Sequence, residues 1–315
     1  MDSKELKKYV ESLVNTSLAN CKITGFSREE AMSLVFKAHH SEMNKEVALK
    51  ILFPLPGVDY LMARYKKILA LDHPNILKVH EIGFSNEAEC YYVVEEWNTG
   101  MVLSEWLKQE GACAIEDALR IVLDMAKGLA YAHAQGVVHG NLVPSNVLFF
   151  GSQPTKIMNF AFPPVWMPKS GSKAKPIMGT LGYLPPEILR GETPGFSSDI
   201  YTLATSFLEL LLEKVPFPEQ KSLDFGPSLV YTPPAFHVPA DTPPEVVSLL
   251  QSMLSLEPEA RFQKMSDLVK GLEELLRKFN KVRCPRCGKK NVPQEVFHCK
   301  ECNTARSEEH TSELQ

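Results

Sequence analysis

Two C-x-x-C pairs, Cys284 with Cys287 and Cys299 with Cys302, are the residues whose type and spacing speak most directly of chemistry. A sharp turn at each pair aims both thiolates at one point, and four thiolates close a tetrahedron around zinc. With all four positions filled such a site is structural, because no coordination is left open for substrate or water. Of the seven cysteines, the remaining Cys21, Cys90 and Cys113 are scattered and read as small buried hydrophobes. A second set is dispersed: Lys50 closing an apolar run, His139, Asn141 and Asn146 in one stretch, and Asn159 beyond them. Its chemistry is that of amides. An amide orients a hydroxyl but has no basic lone pair at physiological pH, and its oxygen is a weak, neutral ligand for a hard divalent cation.

Elements of both kinds must position these groups. Leu6, Tyr9, Val10, Leu13, Val14 and Leu18 recur at helical spacing, predicting an amphipathic helix over 4–18. Ser33 to Ala38 and Lys45 to Lys50 read as strands, 57–71 as a helix, and Tyr91 to Trp97 as a strand. Helical periodicity then covers 101–110 and 115–135, with Ile121, Met125, Leu129 and Ala132 forming a core stripe. A strongly apolar helix follows Ser198, proline is dense from 215 to 244, and two more helices fall near 245–256 and 265–279. The expected class is α+β. A chain of 315 residues with 44% hydrophobic and 23% charged residues has a globular composition. Its net charge of -4 gives nucleic-acid binding no support. No apolar run is long enough to cross a bilayer, the N-terminus lacks a signal-peptide core, and the cytoplasm is the expected compartment.

The stretch from Val138 to Leu148, His-Gly-Asn-Leu-Val-Pro-Ser-Asn at its centre, resembles the catalytic loop of Ser/Thr protein kinases, H-R-D-L-x-x-x-N. Val47-Ala48-Leu49-Lys50 resembles the family's V-A-I-K, and Lys156 to Phe162 stands where a strand runs into D-F-G. Gly179 to Glu187 resembles the end of an activation segment, with Pro-Pro-Glu in place of A-P-E. The resemblance spans about 21–280 and is nearest to bacterial Ser/Thr kinases of the receptor type. It implies a two-lobed fold: a small β-rich N-lobe over about 21–96 and a large helical C-lobe over about 97–280. Residues 1–20 form a preceding helical segment.

Against the family pattern, the chemistry is missing while the scaffold is kept. Asn141 replaces the Asp that would take a substrate proton, Gly140 the Arg and Val143 the Lys of the catalytic loop. Asn159 replaces the magnesium-binding Asp and Ala161 the Gly of D-F-G. The three phosphate-loop glycines map to Arg28, Glu30 and Ser33, and Glu30 would place a carboxylate near the triphosphate. The helix position that should carry the Lys-pairing Glu holds Arg64, which would repel Lys50 by about 4 kcal/mol at contact and turn the helix outward. Lys50 and Asn146 survive as possible nucleotide and magnesium remnants, and an adenine ring could still sit beside Tyr91 to Trp97. The structural positions His139, Glu187, Asp199 and Arg261 are all kept. His133 fits the helix-end pattern, without an assigned function, and the loop over 163–178 reads as a flexible activation segment.

Residues 281–305 resemble a zinc ribbon, with Cys-Pro-Arg-Cys-Gly as first knuckle and His298 a bystander; bound metal would supply the folding energy, about 10–16 kcal/mol in comparable peptides. Residues 306–315 resemble a translated sequencing adapter and are set aside. The expectation is a pseudokinase, a binding or allosteric scaffold in signalling with weak or no ATP and magnesium binding and a protein partner. A residual ATP-dependent Ser/Thr kinase is one alternative. The other is nucleic-acid or partner binding through Lys281, Arg283, Arg286, Lys289 and Lys290 of the ribbon.

Overall fold

The computed structural model describes residues 3–30, 33–53, 66–151, 153–160, 165–166, 177–222, 235–279, 282–283 and 290–292. Arg64, most of 163–178, and Cys284, Cys287, Cys299 and Cys302 lie outside them.

Helix α1 covers Ser3–Leu13, shorter than the periodicity over 4–18 predicts. It stops because Asn15 takes a left-handed conformation (φ 71°), which breaks the helical ladder. Leu18 then goes into a sheet: β1 (Ser17–Leu18) pairs with β2 (Cys21–Glu30). Both residues between them, Ala19 and Asn20, have positive φ, as a tight two-residue hairpin turn requires.

The N-lobe sheet continues with β3 (Ser33–His40), β4 (Lys45–Leu52), β5 (Val79–Ser85) and β6 (Cys90–Glu96), in the order β1-β2-β3-β4-β6-β5. Its pairs are antiparallel, and Val35 lies opposite both Arg28 and Lys50, with Lys50 opposite Val93. Because side chains alternate faces along a strand, Arg28, Glu30, Ser33, Lys50, Val93 and Glu95 share one face of the sheet. The other face packs Leu34, Phe36, Leu49 and Val94 into a core with Val10 and Leu13 of α1. Of the helix expected over 57–71, residues 66–71 are described; 66–69 are helical, and 70–71 are not.

The C-lobe begins with β7 (Met101–Val102), α2 (Leu103–Glu110) and α3 (Ile115–Ala134). Ile121, Met125, Leu129 and Ala132 are buried along α3, the stripe its periodicity predicts. A small sheet, β7 with β8 (Val147–Phe150) and β9 (Gln153–Ile157), lies against α3. Gly128 permits that approach, since a Cβ there would stand 2.8 Å from the Asn75 carbonyl and 3.0 Å from Ile157. Asn75 in turn ties the lobes: Ile157 N donates to its carbonyl at 2.9 Å, and its amide donates to Thr155 O at 2.9 Å. Helices α4 (Pro186–Leu189), α5 (Phe196–Leu212), α6 (Pro244–Met253) and α7 (Met265–Phe279) complete the lobe around Tyr201, Phe207, Leu250 and Leu272. Two antiparallel two-stranded pairs remain among the described residues. In one, β10 (Val165–Trp166) pairs with β11 (Ile177–Met178), and in the other β12 (Val282–Arg283) pairs with β13 (Lys290–Val292). No described helix is long and apolar enough to cross a membrane.

Candidate functional site

The two lobes meet at a cleft of about 230 Å³. Arg28, Glu30, Ser33 and Lys50 of the sheet form its roof, Asn141, Asn146, Asn159 and Thr180 its floor, and Val102, Ser104 and Glu105 its front. Its volume falls below the 300–1,000 Å³ typical of organic ligand sites. Among the described residues that line this cleft, none comes from Tyr91 to Trp97.

Lys50 is 1% exposed, and three oxygens surround its ammonium: Glu95 at 2.9 Å, Glu30 at 3.2 Å and Asn159 Oδ1 at 2.6 Å. A buried ammonium needs such compensation. Both carboxylates come from the sheet face that carries Lys50 itself, so neither ion pair uses the helix over 57–71. Burial alone would lower the Lys50 pKa, but Glu30 and Glu95 outweigh it and hold it above its ordinary value. At Glu95, 2% exposed, burial dominates and pushes the carboxyl up despite Lys50. At Glu30 burial also works upward, but Lys50 and Arg28 together hold the carboxyl below the usual range. Glu95 is the residue that sequence reasoning missed. Its signal was a charged residue ending the apolar run Tyr-Tyr-Val-Val of β6, two positions past Val93, which faces Lys50.

Three amides on the floor follow from that ammonium. Lys50 donates to Asn159 Oδ1, Asn159 Nδ2 donates to Asn146 Oδ1 at 3.0 Å, and Asn146 Nδ2 donates to the Asn141 carbonyl at 2.8 Å. The direction of this chain is fixed at both ends, because an ammonium only donates and a carbonyl only accepts. Asn159 sits at φ 64°, a left-handed conformation that Asn and Asp tolerate better than other non-glycine residues. Asn141 Oδ1 accepts from both the amide (2.9 Å) and the hydroxyl (2.8 Å) of Thr180.

These residues do not fit a magnesium ion. Oδ1 of Asn146 and of Asn159 each already accept an N–H, neither side chain brings negative charge, and one of them touches an ammonium. A carboxylate at 159 would face Asn146 Oδ1 with two acceptors and no proton between them, a gap that a cation fills. Here the Asn159 N–H fills it instead.

The supports of the floor are complete. Asp199, fully buried in α5, accepts from His139 N and Gly140 N, both at 2.8 Å, and its Oδ2 lies 2.8 Å from His133 Nε2. His133 thus belongs to the same anchor. Gly140 occupies φ 79° with open space beside its α-carbon, so glycine is favoured there by backbone strain and not by crowding. His139 is fully buried, its Nε2 lies 3.0 Å from Met158 O, and its ring packs on Phe160 at 4.6 Å. Burial lowers its pKa, against the opposing pull of Asp199. Glu187 and Arg261 form a buried two-pronged pair at 2.7 and 2.8 Å, which Ser198 Oγ joins through Glu187 at 2.9 Å.

A cleft between a six-stranded antiparallel lobe and a helical lobe, with this loop and this buried Glu–Arg pair, defines the class, and comparison with known proteins agrees. The protein kinase domain family matches residues 30–271, and the chain belongs to it. Serine/threonine-protein kinase PrkC of Bacillus subtilis is 27% identical over 244 residues, 75% of this chain and 37% of that protein. Serine/threonine-protein kinase PknB of Mycolicibacterium smegmatis is 28% identical over 263 residues, 78% of this chain and 41% of that protein. The matches thus span about two-fifths of these relatives' own lengths. The kinase domain of Mycobacterium tuberculosis PknI superposes with a TM-score of 0.66 at 21% identity, covering 83% of this chain and 98% of that one, which shows the shared fold.

Proposed function

We propose that this protein is a pseudokinase, a cytoplasmic scaffold that holds a protein partner and does not transfer phosphate. The observation that carries the reading is the closed hydrogen-bond chain from Lys50 through Asn159 and Asn146 to the Asn141 backbone. It uses the groups that in a kinase meet the α- and β-phosphates and the metal. Proton acceptance fails separately, because Asn141 is an amide whose oxygen is already held by Thr180. Losing a positioned general base alone costs about 10²–10⁴ in rate. Here the base and the metal carboxylate are lost together, and parts of one catalytic unit do not fail additively.

The same reading gives the C-terminal segment a structural zinc held by Cys284, Cys287, Cys299 and Cys302. It is supported by the pairing of β12 with β13, because the first C-x-x-C lies in the sequence between those two strands. When bound, zinc would cross-link the two cysteine pairs and make the segment a second contact surface.

The test is thermal stability of the whole chain with ATP, with and without magnesium, beside a phosphotransfer assay. A ligand at a hundredfold excess over its Kd stabilises the folded state by about 2.7 kcal/mol. We expect no magnesium-dependent shift and no labelled product. A shift that requires magnesium, with transfer to protein hydroxyls, would replace this reading by that of a slow Ser/Thr kinase.

A further inference from the structure

The roof of the cleft contains more than a blocked lysine. Glu30 stands at the last position of β2, directly across the hairpin from Ser33. Its two oxygens meet three donor groups of the described residues. Oε1 accepts from Arg28 Nε at 3.0 Å and Nη2 at 2.7 Å, and Oε2 meets Ser33 Oγ at 3.3 Å and the Lys50 ammonium at 3.2 Å. Two cations and a hydroxyl converge on one carboxylate that is only about 15% exposed. This is the donor set that a tetrahedral oxyanion asks for. Strand alternation explains the convergence: Arg28 and Glu30 are two residues apart, and Ser33 and Lys50 lie on the same face of the neighbouring strands.

We propose that Arg28, Lys50 and Ser33 form a cradle for a compact oxyanion, a phosphomonoester or inorganic phosphate bound without metal, and that Glu30 occupies the cradle in the resting chain. The proposal rests on the reading that this cleft no longer takes magnesium-ATP. Charge and space select the ligand class. Within the roof Arg28 and Lys50 balance Glu30 and Glu95, so an entering anion must displace Glu30, after which the roof carries one net positive charge. Glu29 and Glu105 also line the cleft, which disfavours a highly charged triphosphate, and about 230 Å³ accommodates a phosphate group far better than a nucleotide. A carboxylate tethered beside its donors competes at an effective concentration on the order of millimolar or more. The wild-type chain therefore binds free phosphate weakly, and displacement moves Glu30 away from Ser33 at the hairpin end.

The experiment measures binding of inorganic phosphate and of ATP in EDTA, at matched ionic strength, by calorimetry on the full chain. Glu30→Gln should tighten phosphate binding by roughly tenfold or more over wild type, since it removes the tethered competitor. Lys50→Met added to Glu30→Gln should abolish the gain. Glu30→Asp, which keeps the charge but draws the carboxylate back by one methylene, should gain in the same direction and serves if the glutamine variant does not fold. No gain in either Glu30 variant overturns the proposal, as does a gain that survives Lys50→Met. ATP no tighter than phosphate identifies a compact anion, and ATP clearly tighter identifies a nucleotide phosphate as the source and overturns the compact-anion assignment. Magnesium is absent throughout, so failure here is distinct from the appearance of magnesium-dependent transfer.

Discussion

His139 is buried beneath the floor and neutral by preference, and the consequence can be measured. Its pKa in the folded chain lies below the ordinary value near 6.5, because burial penalises the imidazolium more than Asp199 favours it. Below pH 6.5 the unfolded chain therefore binds a proton that the folded chain refuses. Stability then rises with pH across the window just under 6.5, and is lost as pH falls through it. His73 and His80 are lowered as well, burial being the largest cause at both, and add to the same slope. Urea unfolding of wild type and His139→Asn between pH 5 and 8 should give a shallower pH dependence in the variant. Equal slopes would remove His139 as a source. At this scale the sequence was informative. The positions of His139, Asp199, Glu187 and Arg261 came from the resemblance to the kinase family, whose motif order carries them with it.

Among elements, what spacing could not supply was register. The apolar run Val-Ala-Leu-Lys was legible as a strand, and so was Tyr91 to Trp97. That Ala48 lies opposite Glu95 and Lys50 opposite Val93 depends on how two distant strands slide past each other, which no local pattern sets. The sequence directed attention to Arg64, which lies outside the described residues, and the described Lys50 ion pairs lie within the sheet. The helical reading over 4–18 overran the helix, which ends at Leu13, for a related reason. Its periodicity ran on through Leu18, but left-handed Asn15 and the tight turn at Ala19 and Asn20 sent that leucine into β1. The sheet account makes Glu95 a stability residue. Removing one partner of a buried ion pair typically costs 3–5 kcal/mol, whereas replacing both by apolar residues of similar volume is often neutral. Glu95→Ala should therefore cost about 3 kcal/mol in denaturant unfolding, near the low end because Glu30 remains. The pair Glu95→Met with Lys50→Met should recover much of that loss. A single-variant cost below about 1 kcal/mol would mean that Lys50 does not depend on Glu95.

For the whole molecule the question is whether the C-terminal segment stands on its own energy or on that of the kinase fold. The large core that gathers Tyr201, Phe207, Leu250 and Leu272 reaches Leu275 near the end of α7. The four cysteines follow it in the sequence. If zinc holds them, the metal supplies the folding energy there and the two units melt separately. The chain purified under reducing conditions should carry one zinc per molecule, and replacing both Cys284 and Cys299 by Ser should remove it. A chelator should release that zinc and expose four thiols to a thiol reagent. Meanwhile the main unfolding transition should shift by less than about 2 °C, because no cysteine of the kinase lobes joins the site. Purified protein with no zinc would refute the metal assignment. A chelator that lowered the main transition by many degrees would show instead that the segment is an integral support of the C-lobe. In that case the ribbon could not be an independent contact surface, and a partner would have to be sought on the kinase fold itself.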